Sequence, residues 1–445
     1  MGSEGTPEHA PVHGNRLDRY VEAYAARTHG MAASQIRALF SVANRPEVVS
    51  LAGGMPNLSA LPLDVIGEQA ATLLTQHGTQ ALQYAGAQGD PTLREQIVEI
   101  MGLQGIRAHA DDVVVTTGSQ QALDLVTRIF VNPGDVILCE SPSYVGALQA
   151  FISYQADIRH VAMDDGGLVP EALQEALDGL AREGKKAKFL YTIPSFHNPA
   201  GVSQNRERRE RILAIAQAAG VLVLEDDPYG LLGFDGEIPR AMRADDDEGV
   251  IYLGSFSKTF APGLRVGWAC APHAVREKLV LASEATMLNS STFSQLLVSR
   301  YLANHAWMDQ VKTFREIYRE RRDATLESLE SLMPPGTTWT RPDGGFYVWL
   351  TLPGGMDATA MLPLAVTGRV AYVPGTAFYA DGQGRSSMRL SYCFPDPDRI
   401  REGVRRLAGV IEEEMELRAT FGPAAVGGAH PLDGPEQAAP GPDIA

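Results

Sequence analysis

Between about residues 105 and 270, short unbroken apolar runs alternate with stretches in which apolar positions recur every three to four residues. The runs lie in "DVVVTTG", "DVILCE", "KFLYTIP", "VLVLEDD" and "VIYLGSFSK". Each is short and apolar and alternates with a helix-period stretch, so it reads as a strand of a sheet covered on both faces. The periodic stretches between them, such as "SQQALDLVTRIF", read as covering helices. In one of these, Leu173, Ala176, Leu177, Leu180 and Ala181 fall at i, i+3, i+4, i+7 and i+8, and Gly184 is placed to end the helix. Another is expected from Arg206 to Ala219, stopped by Gly220. The pattern predicts an α/β fold, a large domain with a mostly parallel sheet between helices.

Beyond roughly residue 290 the texture changes. Long helical stretches ("SQLLVSRYLANHAW", "FREIYRERRDATLESLESL") precede "GGFYVWLTL", "RVAYVPG" and "SMRLSYCF", a sequence of elements that predicts a smaller α+β domain. The last 25 residues hold five Gly, five Pro and six Ala with almost no bulky apolar side chain, too little to offset the entropy of ordering, and they are expected to be a disordered tail.

Composition narrows the function classes. A net charge of -16 opposes a polyphosphate partner and argues against nucleic acid binding, while leaving room for a locally positive pocket. Cys139, Cys270 and Cys393 are too far apart for a disulfide framework or a CxxC metal site, which fits a reducing compartment. The opening "MGSEGTPEHAPVHGN" lacks the basic and apolar regions of a secretory signal, and no run reaches the roughly 18 apolar residues of a membrane helix. A soluble, cytoplasmic protein is expected.

In open parallel sheets ligands sit beyond the carboxyl ends of the strands, so the residues leaving each run carry the candidate chemistry. After "DVVVTT", Gly118-Ser119-Gln120 opens a helix whose free N–H groups suit a phosphate, although Ser119 taken alone reads as an ordinary N-cap. After "VLVLE" comes Asp226, whose ionised carboxylate at the end of an apolar strand needs a partner; Asp227, beside Pro228, reads as a turn residue. After "VIYLGS" comes Lys258, either a solvent-seeking cation or a functional amine. Arg265 stands between Leu264 and Val266 and needs an anionic partner if buried. Asn198 lies in the turn-rich "SFHNPAG", and His197 beside it reads as a loop histidine. In "SSMRLSYCF", strand alternation puts Arg389, Ser391 and Cys393 on one face, where Arg389 either meets water or grips a carboxylate.

Taken together, "YAGAQGDPTLREQI", "TTGSQQALDL", "ESPSYVGALQ", "YTIPSFHNPAG", "EDDPYG", "SFSKTFAPGLRVGW", "GGFYVWL" and "MRLSY" resemble the fold-type I aminotransferases that use pyridoxal 5'-phosphate, over roughly residues 35 to 415. "SQIRALF" and "VVSLAGGMPNLSALP" are similar to the aminoadipate/kynurenine branch. The resemblance implies a seven-stranded-type sheet in the large domain. It also implies that Lys258 forms the Schiff base with the cofactor aldehyde and then moves the Cα proton, while Asp226 holds the ring nitrogen protonated. By the same resemblance Tyr144 stacks on the ring, Asn198 and Tyr229 meet its phenolic oxygen, and Ser119, Gln120, Ser255 and Arg265 bind its phosphate. Tyr84 would reach the phosphate of a neighbouring subunit, implying a homodimer with shared sites. Arg389 would grip the substrate carboxylate, with Gly53, Arg37 and Asn198 also near the substrate. Ala200 stands where the family more often has threonine. The implied division is 1–15 disordered, 16–55 an N-terminal arm with part of the small domain, 56–290 the large cofactor domain, 291–418 the small domain, and 419–445 a disordered tail.

The expected reaction is transfer of the amino group of an L-amino acid to a 2-oxo acid such as 2-oxoglutarate. The same chemistry also leads to a racemase, β-lyase or oxidase. A regulator using this fold to bind an effector is a third reading, opposed by the roughly 35 residues in front of the body, which are too few and too acidic for a winged helix.

Overall fold

The apolar runs pair with one another across crossover helices, as buried-on-both-faces strands require. The computed structural model describes residues 20–28 and 45–422. Eight strands, β1 (Val113–Thr116), β2 (Val136–Ser141), β3 (Asp157–Asp164), β4 (Gly167–Leu168), β5 (Ala187–Thr192), β6 (Leu222–Asp226), β7 (Val250–Ser255) and β8 (Gly267–Cys270), form one sheet. Their order is β1-β8-β7-β6-β5-β2-β3-β4. Only β8 and the two-residue edge strand β4 run against the rest, so the sheet is seven strands plus a short edge addition. Neighbouring residues of one strand enter different cores: Val223 of β6 packs with Leu138, Leu190 and Ile212, and Leu224 with Ile137, Leu123 and Ile251.

The connections are helices with the expected limits. The helix α1 spans Ser119–Phe130, α2 Val145–Ser153, α3 Pro170–Arg182 and α4 Arg206–Ala219. The Asn205 side chain accepts from the Arg208 N–H at 2.9 Å to cap the start of α4, and Gly220, at φ +60°, ends it in the left-handed conformation that glycine adopts without a Cβ penalty.

A second sheet, of β9 (Thr338–Trp339), β10 (Tyr347–Thr351), β11 (Val373–Pro374) and β12 (Ser387–Ser391), is antiparallel in the order β9-β10-β12-β11 and pairs Trp349 with Arg389. Val49–Ser50 pairs in parallel with Val370–Ala371, and the Ser391 N–H donates to the Leu51 carbonyl at 2.7 Å. Those two contacts carry Ala52–Met55 to the edge of the large sheet. Helices α5 (Trp307–Leu332) and α6 (Pro397–Phe421) cover this region, burying Tyr318, Leu329, Leu407 and Ile411. The helix α6 runs three residues into the span expected as tail, and residues 423–445, like the expected disordered 1–15, lie outside the described residues. No helix among the described residues is long and apolar enough to cross a membrane.

Candidate active site

Because β1, β2, β5, β6 and β7 point the same way, their exits share one edge, and there a cavity of about 430 Å³ opens. One end is the start of α1, where the first N–H groups have no helical acceptor and the helix dipole is positive. Ser119 and Gln120 line it, and Arg265 faces it from a left-handed backbone position at φ +55°, its Nη2 donating to the Thr117 carbonyl at 3.1 Å. A Cβ on Gly267 would come within 2.7 Å of the Gly118 and Ser119 backbone, so this turn is pressed onto the first residue of β8. Ser255 and Ser257 complete that end, their hydroxyls 2.9 Å apart. The residues there offer donors and positive charge suited to a phosphate.

Opposite lies the carboxyl end of β6. Asp226 is 2% exposed, and burial pushes its carboxyl up to about 7, with like charge on Asp227 adding to the rise and a hydrogen bond from Tyr191 opposing it. The Tyr191 hydroxyl donates to Oδ2 at 2.8 Å, while Oδ1, in the cavity wall, is buried with no partner. Lys258 follows β7, and its Nζ donates to the Gly54 carbonyl at 2.8 Å. Desolvation of the amine pulls its pKa down to about 8; Cys393 opposes this, and the positive charges of Arg389 and Arg265 reinforce it.

The remaining wall comes from the second sheet and the β5 exit. Arg389 donates from Nη1 to Asn198 Oδ1 at 2.9 Å and from Nη2 to the Ala52 carbonyl at 2.8 Å, while its Nε is buried without a partner. Its guanidinium carbon lies 4.2 Å from the Tyr347 ring centre and 5.0 Å from that of Phe378, within cation–π reach of both. Tyr229 approaches Tyr347, hydroxyl to hydroxyl, at 3.5 Å. Tyr144 sits at the start of α2, its hydroxyl 3.4 Å from Gln120 Oε1, and burial pushes its phenol up to about 12.

The structure thus brings Ser119, Gln120, Tyr144, Asn198, Asp226, Tyr229, Ser255, Lys258, Arg265 and Arg389 to one cavity. Three expected residues are not brought there. Gly54 lines the cavity instead of Gly53, because the extended segment alternates and turns Gly53 to an adjoining cavity of about 460 Å³, its carbonyl 3.6 Å from Cys393 Sγ. Tyr84 is 77% exposed and outside the cavity of a single chain. Arg37 lies outside the described residues.

Sequence reasoning missed Ser257, Tyr347 and Tyr191. The spacing of Ser257 directly before Lys258 could have flagged the first; the other two look like core aromatics of a strand. His197 is the residue that reads as a loop histidine in the sequence. That ring is buried, accepts from the Ala200 N–H at Nδ1 (3.2 Å) and has Nε2 3.0 Å from Glu140 Oε2. Glu140 in turn accepts from Thr192 Oγ1, the Ile193 N–H and Gln204 Nε2 at 2.7, 2.8 and 3.0 Å. The pair fixes the turn that presents Asn198, so this is a loop histidine with a structural task.

An aromatic-walled cavity with a phosphate cradle at one end of a parallel sheet, an amine at a strand exit and a buried carboxylate across from it defines a cofactor-dependent transferase of fold type I. The sequence model for aminotransferases of class I and II matches residues 46–407, and the chain belongs to that family. It is 44% identical over 400 residues to aromatic-amino-acid aminotransferase 1 of Thermococcus litoralis, covering 89% of this chain and 96% of the other. It is 38% identical over 400 residues to the 2-aminoadipate transaminase of Thermus thermophilus, covering 89% and 98%. The crystal structure of Pyrococcus horikoshii kynurenine aminotransferase in complex with PMP, KYN and KYA superposes with a TM-score of 0.86 at 40% identity, over 90% of this chain and 99% of that one. The chain is an aminotransferase, and its cofactor is pyridoxal phosphate.

The cavity suits that cofactor on its own evidence. Asp226 Oδ1 lacks a donor in a place where a protonated ring nitrogen would supply one, and the α1 start with Arg265 offers N–H donors and positive charge of the kind a phosphate takes.

Proposed function

We propose that the protein moves the amino group of an L-amino acid to 2-oxoglutarate, with Lys258, Asp226 and Arg389 as its working groups. The observation that carries this reading is their convergence on one cavity from β7, β6 and β12. Bound pyridoxal phosphate supplies an aldehyde that condenses with amines and a ring that stabilises negative charge at the amino acid Cα.

The chain's own residues do the rest. Lys258, with its pKa near 8, is partly neutral at physiological pH, so its amine is available as nucleophile and as acceptor of the Cα proton. Arg389, held by Asn198, Ala52 and two nearby aromatic rings, presents a planar fork that fixes the α-carboxylate and thereby the face on which the Cα proton lies. Asp226 is the anionic partner for the ring nitrogen, and Asn198 and Tyr229 donate to the phenolic oxygen. Tyr144 packs on the ring, and Ser119, Gln120, Ser255, Ser257 and Arg265 hold the phosphate. Gly54 borders the substrate.

A homodimer is part of the proposal. Tyr84, Leu82 and Leu63 are large apolar residues left exposed on one chain, and Tyr84 would complete the phosphate site of a second copy. The division into a large domain (56–290) and a small one (16–55 with 291–418) is supported by the separation of the eight-stranded sheet from the four-stranded one. We place the enzyme in the cytoplasm, supported by three cysteines that are all free and buried.

Among the described residues the cavity's cations are Lys258, Arg265 and Arg389, each with a task, whereas Met55, Val145, Ile193 and Tyr347 add apolar and aromatic wall. That lining supports a bulky apolar or aromatic donor. A panel of amino donors against 2-oxoglutarate tests both halves: glutamate should form in step with the donor's oxo acid, fastest for aromatic donors. Release of ammonia or of a D-amino acid would overturn the transfer reading.

A further inference from the structure

The strands β5 and β6 are parallel neighbours with Tyr191 paired to Leu224 and Thr192 to Glu225, a register that lets a side chain of β5 reach the end of β6. Tyr191 is fully buried, and its ring is held edge-on by Phe151 at 5.5 Å and 76°. Its hydroxyl makes the one hydrogen bond to the Asp226 carboxylate among the described residues, to Oδ2 at 2.8 Å. Among the described residues no Lys, Arg or His acts on the Asp226 carboxyl. The charged neighbour is Asp227, of like sign, which is itself engaged by Gln104 and by the Gly230 N–H, and the nearby Tyr144 phenol is neutral. Burial keeps the Tyr191 phenol protonated far into the alkaline range, so toward Asp226 it is a donor at every working pH.

We infer that Tyr191 is a positioning residue for amino transfer: by donating to Oδ2 it makes Oδ1 the weaker base, so that the proton shared between Oδ1 and the cofactor's ring nitrogen rests on the nitrogen. This rests on Asp226 being the partner of that nitrogen. The proton count is the same with or without Tyr191; only its location changes. A buried carboxylate without a donor is raised further in basicity and takes the proton back, leaving a ring that accepts electrons poorly.

The test uses protein loaded with pyridoxal phosphate labelled with ¹⁵N in the ring. In the unaltered protein the nitrogen resonance should be that of a protonated ring. In Tyr191→Phe it should move toward the unprotonated position, with kcat lower by about 10- to 100-fold, the loss expected for one hydrogen bond to a charged group, and KM for the donor within about twofold. Phe151→Leu loosens the packing of the Tyr191 ring but keeps its hydroxyl, and should leave the resonance in place. Should Tyr191→Phe fail to fold, Tyr191→His, which returns a donor, must give a folded protein with a protonated ring. A Tyr191→Phe or Tyr191→His protein that binds the cofactor and contradicts these positions overturns the inference. An unaltered protein that takes up no cofactor, or holds a neutral ring, overturns the reading of Asp226 instead.

Discussion

The two walls of the cavity are built differently. On the large-sheet side, Asp226, Ser255 and Lys258 stand at the ends of strands whose ladders are complete on both sides, and the α1 start is pressed on β8 by a glycine contact. On the other side Arg389 is held by Ala52, 337 positions away, by Asn198, 191 positions away, and by two aromatic rings. The first wall is fixed by the same hydrogen bonds that make the sheet; the second is an assembly of three distant segments. Cofactor chemistry needs invariant geometry, and the substrate side needs room for two different acids in turn. The division of labour follows from where each wall's support comes from.

Breaking each wall in turn sharpens the comparison. The largest effect belongs to the sheet side: Lys258→Ala should lower kcat by about 10⁴-fold or more, since it removes both nucleophile and base, while the protein keeps its melting temperature to within a few degrees. Steady-state kinetics with a calorimetric scan decides this. Arg389→Lys keeps the charge and loses the fork, so kcat/KM for the donor should fall about 100-fold, mostly through KM, with the cofactor's absorbance unchanged. Equal loss in kcat and absorbance would mean that the two walls are not separate.

Smaller effects probe the cradle and the buried acid. Gly267→Ala places a methyl group against the backbone of Gly118 and Ser119, which cannot yield as a side-chain tip would. It should cost about 1–3 kcal/mol of stability by denaturant unfolding and weaken cofactor retention. The smallest effect is one of pH on the cofactor-free protein. The Asp226 carboxyl is raised from its ordinary value to about 7 by burial, so ionising it favours the unfolded chain. The stability it contributes is complete below the ordinary carboxylate range and is lost as pH rises through about 7. Asp226→Asn should therefore melt higher than the unaltered apoprotein at pH 7.5, by a few degrees, with a smaller gap at pH 5. A constant gap would show that the carboxylate is not the buried charge described.

The same contrast explains what the sequence revealed. The limits of α1 and α4 and the runs of β2, β5, β6 and β7 were legible because period and caps are local properties, and Lys258 and Asp226 were legible because a strand exit is one too. Arg389 was visible as an arginine on a half-buried strand, but its partners were not, since no local pattern encodes a contact 337 positions away. Tyr191 was hidden because a tyrosine in "KFLYTIP" has the appearance of core packing until the register of β5 on β6 shows where its hydroxyl goes. The shift from Gly53 to Gly54 is a matter of one residue's alternation, below what composition can resolve.

The central claim is a covalent bond between the cofactor and one amine. Borohydride reduction of the loaded protein, followed by digestion and mass spectrometry of the peptides, tests it directly. The account predicts that the pyridoxyl label is found on Lys258 alone; a label on another lysine, or an unlabelled peptide containing Lys258 beside a bleached chromophore, would contradict it.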